Sequence, residues 1–347
     1  MHPEIAADNL RERIALWSGL APVPVVSSYW GMAVSRLLIS GTRLGVFDAL
    51  KNGEQGAEEI ARRIGCDAAA TNALLAGLNG FGYLKRRKGL YSLTRSSAKW
   101  LVRDSQSSMV EAMLFMADIW DALAGMETAV KSGRAPDFHE LRKPPEFWSR
   151  YLRGLAIFAK FVADEITKKA RLTSPPSRLL DVGGGHGVYS AAFCKKYPAL
   201  KAEVLDLAPA CDQGRKITAE LGYSDRVSFR EGDFKTADWG KGFQLVLLFN
   251  IIHTVPPDQA KKIIAKAFSA LEPGGSVVIL DSEHPGGENN LSATAGFNEL
   301  FFFLINGTSV YPEDWIRDWV AAAGFKNWKR KRLLRMPMTL FASAKKP

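Results

Sequence analysis

The sequence predicts an α/β fold in which a doubly wound parallel sheet fills the C-terminal half and helices fill the remainder. Three observations carry that expectation. Hydrophobic residues recur at helical spacing through the first 170 residues, and the period switches after "LTSPPS" (172–177), where consecutive prolines end the helix before them. Beyond that break, five short apolar runs alternate with helical ones, as strands buried on both faces do. Two last runs, "WKRKRLL" and "MTLFASAKK", lack a full helix between them and predict an antiparallel hairpin at the sheet edge, making seven strands.

Taken in order, "SYWGMAVSRLLISGTRLGVFDAL" (28–50) carries a helical pattern that stops at "KNGEQG". "GAEEIARRIG" and "DAAATNALLAGLNGFGYL" read as two short helices, the second with Asp67 as N-cap. "LKRRKGLYSLT" then reads as two strands around a basic turn at Gly89. Three helices and a small hairpin make a winged helix, assigned to residues 1–105. Residues 106–170 are helical again and are expected to connect the two parts and to contribute to a ligand pocket. Residues 171–347 hold the alternating pattern, a Rossmann-like domain whose ligands should lie at the carboxyl ends of its strands.

The bulk numbers exclude several classes. With 347 residues, 47% of them hydrophobic, the chain can bury a large core. No apolar run is long enough to span a bilayer, and "MHPEIAADNLRER" has no signal-peptide pattern. Three scattered cysteines, Cys66, Cys194 and Cys211, form neither a disulfide framework nor a metal cluster, so a cytoplasmic, metal-independent protein is expected. The net charge of +10 raises nucleic acid as a partner. The would-be recognition helix, "DAAATNALLAGLNGFGYL" (67–84), has no Lys or Arg, which favours a dimer interface over DNA.

The first strand of the α/β part runs into "LLDVGGGHGVYSAAF". Gly183, Gly185 and Gly187 form G-x-G-x-G, one residue short of the dinucleotide pattern. Asp181 at the strand end is the sharper clue, because a carboxylate there repels a pyrophosphate and attracts an ammonium. Glycines admit close backbone approach, and the following helix N-terminus favours a carboxylate. A zwitterionic amino-acid tail meets both demands, which points to S-adenosyl-L-methionine. Asp206 ends the second strand about 20 residues on, with Leu207 beside it, placed to accept from ribose hydroxyls. Asp233 ends the third, placed to accept from an adenine amino group, with Phe234 to pack on the ring. Asn250 lies near the same site, three residues before His253.

"LLDVGGGHG", "LDL", "DRVSFREGDF" and "LEPGGSVVILD" resemble the motif set of the class I methyltransferases. More narrowly, the chain from about residue 28 onward resembles the hydroxyindole/caffeate-type O-methyltransferases of bacterial type, whose winged-helix domain dimerises. The resemblance implies a homodimer, a small-molecule acceptor, and His253 as general base just past the fourth strand. It implies Asp281, at the end of the fifth, as the carboxylate that orients the imidazole. A neutral imidazole can deprotonate a phenol, and the methyl donor is already activated. The chain departs from the family pattern at Thr254 and Ser309, where acids are usual. His186 is expected to turn its ring outward, and His284 to be a loop residue.

For an acceptor slot the candidates are Met116, Trp120, Trp148, Phe158, Phe161, Phe297 and Phe301, with Phe147 and Phe302 beside them. The main expectation is O-methylation of a small, hydroxylated aromatic metabolite of secondary metabolism. The alternatives left open are C-methylation of a tetrapyrrole or other aromatic carbon, non-methylating chemistry with the same cofactor, and, last, a winged-helix nucleic-acid binder.

Overall fold

The computed structural model describes residues 6–347 apart from 8, 136, 137, 140–142, 171, 173 and 285–290. The chain divides into two compact units, residues 1–117 and 118–347. Of the expected domain boundaries, the one at 170/171 falls at a residue outside those described.

The N-terminal unit contains α1 (Leu10–Trp17), α2 (Val23–Arg43), α3 (Val46–Ala49), α4 (Ala57–Ile64), α5 (Ala68–Gly80), the strands β1 (Leu84–Arg87) and β2 (Leu90–Leu93), α6 (Arg95–Trp100) and the start of α7 (Val110–Leu123). Asp67 caps α5 by accepting the Ala70 N–H at 2.8 Å. β1 and β2 pair antiparallel around a two-residue turn in which Lys88 and Gly89 both have positive φ, 49° and 83°. That is the primed turn whose twist matches a hairpin, so Gly89 is required and Lys88 is held against its preference. Phe47, Leu50, Ile60, Leu75, Leu78, Leu84 and Tyr91 close the core of this unit. α1, α2 and the turn between them, by contrast, leave Trp17, Leu20, Val25, Tyr29, Trp30 and Met32 exposed.

The second unit continues with α8 (Met126–Ser132), α9 (Pro145–Lys169), β3 (Arg178–Val182), α10 (Val188–Lys196), β4 (Lys201–Asp206), α11 (Ala208–Glu220), β5 (Val227–Glu231), β6 (Phe243–Phe249), a 3₁₀ turn (Ile252–Thr254), α12 (Pro257–Ala270), β7 (Leu271–Ser282), α13 (Ala293–Asn306), α14 (Glu313–Ala322), β8 (Lys326–Arg330) and β9 (Thr339–Lys345). All seven expected strands form one sheet in the order β5-β4-β3-β6-β7-β9-β8. β5 to β7 run parallel, and β9 pairs antiparallel with both β7 and β8. The chain leaves β3 in one direction through β4 and β5 and in the other through β6 and β7. The crevice between the carboxyl ends of β3 and β6 is therefore the topological switch point. The apolar runs are nearly continuous because both faces are covered: Leu179, Leu180, Val182, Leu245, Val246, Leu247 and Leu248 are fully buried. Glu165 on α9 fastens the β8–β9 loop to this unit, accepting the N–H groups of Leu334 at 2.6 Å and Arg335 at 3.0 Å.

Candidate active site

Asp181, the last residue but one of β3, is wholly buried, and the chain turns over it through Gly183, Gly185 and Gly187, which all have positive φ. The glycines are dictated by space as well as by backbone. A Cβ on Gly184 would lie 2.4 Å from the Asp181 carboxyl carbon, and one on Gly183 would lie 2.2 Å from Ile251 Cδ1. The Ser190 hydroxyl, from the first turn of α10, donates to Asp181 Oδ2 at 2.7 Å, while Oδ1 is buried without a partner. Burial, with a smaller push from the Asp206 charge, raises the Asp181 pKa to about 7 against the pull of Ser190.

Asp206 ends β4 beside this loop. Its Oδ2 accepts the Gly185 N–H at 2.8 Å and its Oδ1 the Leu207 N–H at 2.7 Å, and burial raises its pKa to about 6. Leu207 is thereby fixed as the N-cap of α11. Asp233 lies just past β5, half-buried, accepting the Lys235 N–H at 2.9 Å. Phe234 follows it, packs on the sheet core, and lies 3.9 Å from where a Gly183 Cβ would be. Asn250 takes the left-handed conformation (φ 56°) at the end of β6 and donates its N–H to the Leu280 carbonyl at 2.7 Å. Asp181, the glycines, Asp206 and Phe234 thus gather at the β3 end of the crevice.

His253 and Asp281 meet at the other side of the same crevice. The His253 ring is buried, and its Nδ1 is hydrogen-bonded to Asp281 Oδ1. The other Asp281 oxygen accepts the Ile252 N–H at 3.1 Å and the His253 N–H at 3.3 Å, and Oδ1 also takes the Ser282 N–H at 2.7 Å. One carboxylate therefore holds both the backbone and the ring of the histidine. With Nδ1 engaged, the Nε2 edge is left to accept a proton. Thr254 supplies no charge; its hydroxyl donates to the Ile251 carbonyl at 2.7 Å and closes the 3₁₀ turn. Ser309 is exposed, while its neighbour Thr308 donates to the His253 carbonyl.

The expected acceptor residues divide. On α13, Phe297 and Phe301 stack at 5.5 Å, Phe301 leads to Phe302 at 5.6 Å, and Phe302 covers the His253 ring at 4.0 Å. Phe297 is 46% exposed, so this series of rings runs from solvent to the imidazole. Phe158 and Phe161 are exposed on α9, with the Arg335 guanidinium over Phe161. Trp148 is a core residue whose indole N–H has no partner, and Phe147 is buried beside it. Trp120 is half-buried on α7, as is Met116 within the N-terminal unit.

His186 corrects the expectation that its ring points outward. It is buried, its Nδ1 accepts the Val188 N–H at 3.1 Å, and burial, helped by Lys160, lowers its pKa to about 4. A side chain inside so tight a loop is needed to satisfy the first N–H of α10. His284 faces Glu299 at 3.7 Å across an open groove of about 660 Å³ that Tyr311 and Trp315 also line. Ser190, Thr308 and Gly214 escaped sequence reasoning, since only the fold of the glycine loop brings the first to the site and only packing between distant elements brings the other two.

A family model of the O-methyltransferase domain matches residues 118–326, and one of the O-methyltransferase dimerisation domain matches residues 27–103. The chain is 29% identical over 303 residues to a 3-hydroxy-5-methyl-1-naphthoate 3-O-methyltransferase of Streptomyces sahachiroi, covering 83% of this chain and 86% of that one. It is 24% identical over 327 residues to an L-tyrosine C(3)-methyltransferase of Streptomyces lavendulae, covering 89% and 88%. Among solved structures, human N-acetylserotonin methyltransferase in complex with SAM superposes with a TM-score of 0.82 over 99% of both chains, at 18% identity.

Proposed function

From the premise that the chain belongs to the O-methyltransferase family and depends on S-adenosylmethionine, we propose that it methylates a hydroxyl of a small aromatic acceptor, with His253 as general base. The observation that carries the proposal is the dyad: a buried imidazole held at Nδ1 by Asp281, with a ladder of phenylalanines leading to it. Such a base suits a phenolic hydroxyl, whose proton must leave as oxygen attacks; the planar rings suit a planar acceptor.

The residues fit the cofactor. Asp181 holds a buried oxygen in need of a positive donor, Asp206 sits where ribose hydroxyls are read, and the glycine loop leaves backbone where side chains would collide. Asp181, Gly183, Gly185, Gly187, Asp206, Leu207, Asp233, Phe234 and Asn250 are the residues we assign to it. Bound there, S-adenosylmethionine supplies an electrophilic methyl group. His253 takes the acceptor proton on Nε2, Asp281 stabilises the resulting imidazolium, and Phe302 helps keep water from the ring.

The test is methyl transfer from isotopically labelled cofactor to a panel of hydroxynaphthoates, phenols and their dehydroxylated analogues. Label on oxygen of the hydroxylated members is expected. Label on carbon or nitrogen, or equal labelling of the dehydroxylated compounds, would sink the reading.

Cofactor affinity should depend on pH through Asp181. Its pKa near 7 in the free protein, raised from an ordinary carboxylate value, means that it takes up a proton as pH falls through neutrality. A protonated acid cannot hold an ammonium, so affinity is full above pH 7 and lost below, by up to about tenfold per pH unit. Asp206, near 6, adds to the loss at lower pH. Calorimetric titration with S-adenosylhomocysteine between pH 5.5 and 8.5 should show this slope, and Asp181→Asn should flatten it around neutrality. A wild-type affinity constant over that range would count against the assignment.

We also infer that α1 and α2 bury their exposed apolar residues against a second copy, as the dimerisation domain implies. Sedimentation as a monomer at micromolar concentration would contradict this. The localisation is proposed to be cytoplasmic, and no nucleic acid is proposed as partner; among the described residues no helix is long and apolar enough to cross a membrane.

A further inference from the structure

We infer that Thr308 and Tyr311, on the loop between α13 and α14, are positioning residues that hold the base-bearing turn by its carbonyls. The inference rests on the reading of His253 as general base and adds the groups that keep that base in place.

The polar groups of the turn lead to them. A 3₁₀ turn of three residues, Ile252–Thr254, is too short to hold itself, so its backbone must find partners elsewhere. Asp281 takes the N–H groups of Ile252 and His253. The Ile251 carbonyl accepts the Thr254 N–H at 3.1 Å and the Thr254 hydroxyl at 2.7 Å. The carbonyls of His253 and Val255 are met from the α13–α14 loop. Thr308 donates its hydroxyl to the first, and Tyr311 donates to the second at 2.6 Å. The N–H, the carbonyl and Nδ1 of His253 are thereby all engaged, and Nε2 is the polar atom left to meet an acceptor.

The loop is itself fixed. α13 ends at Gly307, whose left-handed φ of 68° turns the chain and whose N–H returns to the Phe303 carbonyl at 2.9 Å. Pro312 then caps α14. Between them Tyr311 is buried, its ring edge-on to Trp319 at 5.3 Å. Burial, with the Asp281 charge, pushes the Tyr311 pKa upward, so the hydroxyl keeps the proton that it donates. Phe302, near the end of α13, covers the ring of the same histidine. One stretch of chain thus meets both the ring and the backbone of the base. Its two hydroxyls are neutral, so they fix His253 in place without adding charge to the dyad.

The test compares Thr308→Val, Thr308→Ser, Tyr311→Phe, Ser309→Ala and His253→Ala on two acceptors, a hydroxynaphthoate and a nitrophenol that is ionised at the assay pH. Thr308→Val and Tyr311→Phe should each lower kcat on the hydroxynaphthoate by about five- to tenfold, the usual effect of one hydrogen bond that keeps a base in register. On the nitrophenol the loss should stay under about twofold, since no proton has to reach Nε2. Acceptor KM and calorimetric affinity for S-adenosylhomocysteine should also stay within about twofold, because neither residue is assigned to the cofactor. Thr308→Ser keeps the hydroxyl and should restore turnover, and Ser309→Ala, exposed beside the clamp, should match wild type. Wild-type kcat in Thr308→Val or in Tyr311→Phe overturns the inference. So does an equal loss on the two acceptors, or a Thr308→Ser protein no better than Thr308→Val. Should Tyr311→Phe fail to fold, the two Thr308 variants decide. If His253→Ala loses turnover selectively on the hydroxynaphthoate and the clamp variants do not, this inference falls alone; if His253→Ala turns over at the wild-type rate, the base reading falls with it.

Discussion

Replacing His253 with Ala is expected to lower turnover on a hydroxylated aromatic acceptor by about 10²–10⁴-fold, the usual worth of a positioned general base. Cofactor affinity should stay within about twofold of wild type, since the ring bonds to Asp281 and packs on Phe302, not on the glycine loop. The loss should shrink for acceptors whose hydroxyl is already ionised at the assay pH, such as nitro-substituted phenols, because they arrive without the proton that His253 removes. Asp281→Asn should lie between wild type and His253→Ala. It keeps an oxygen for the backbone N–H groups of Ile252 and His253 but forfeits the charge that stabilises the imidazolium. Full turnover by His253→Ala, or an equal loss on ionised and un-ionised acceptors, would remove the base assignment.

The second large effect lies outside every motif. Gly214 sits in α11 against the cofactor loop, and a Cβ there would fall 2.2 Å from the Gly185 carbonyl oxygen and 2.3 Å from the Phe229 ring. The first obstacle is backbone and cannot rotate away. Gly214→Ala should therefore cost about 2–3 kcal/mol of stability as an overpacked contact. It should also weaken S-adenosylhomocysteine binding at least tenfold by displacing Gly185. Gly80→Ala, at the end of α5 with nothing within 4 Å, is the control and should leave both quantities near wild type. Thermal melts with and without S-adenosylhomocysteine separate the two effects. A Gly214→Ala protein as stable and as tightly binding as wild type would show that the helix and loop are not wedged together.

The contrast between these two residues shows what sequence can carry. Asp181 and Asp206 stood out because parallel strands read as continuous apolar runs, and an ionisable residue closing such a run must lie at the sheet's carboxyl edge; His253 and Asp281 were singled out by the family resemblance. The hairpin at β8–β9 and the primed turn at Gly89 were legible for the same reason: their punctuation is local. Gly214 and Thr308 were not, because each acts through a crossing of elements that lie far apart in the chain; Ser190 was not, because only the turn of the glycine loop brings its hydroxyl onto Asp181. His186 was misjudged since a glycine-rich loop looks like open backbone, whereas here one ring folds under it to satisfy an N–H of α10. The aromatic residues showed the limit most clearly. Composition named six of them, with Met116, as acceptor walls; only the spacing of Phe297, Phe301 and Phe302 around α13, seen with the helix in place, links two of the six to the imidazole.

Ile251 reaches back over Gly183, and the next two residues are clamped by Asp281. The segment that carries the proposed base is thus keyed at one end into the cofactor turn and at the other into β7. Evolution can therefore alter neither end without disturbing the other. Diversification of the acceptor is pushed onto α13, which covers the His253 ring with Phe302 and carries Phe301 and Phe297 outward from it. Libraries that seek new regiochemistry should vary positions 297 and 301 and leave 250–254 alone.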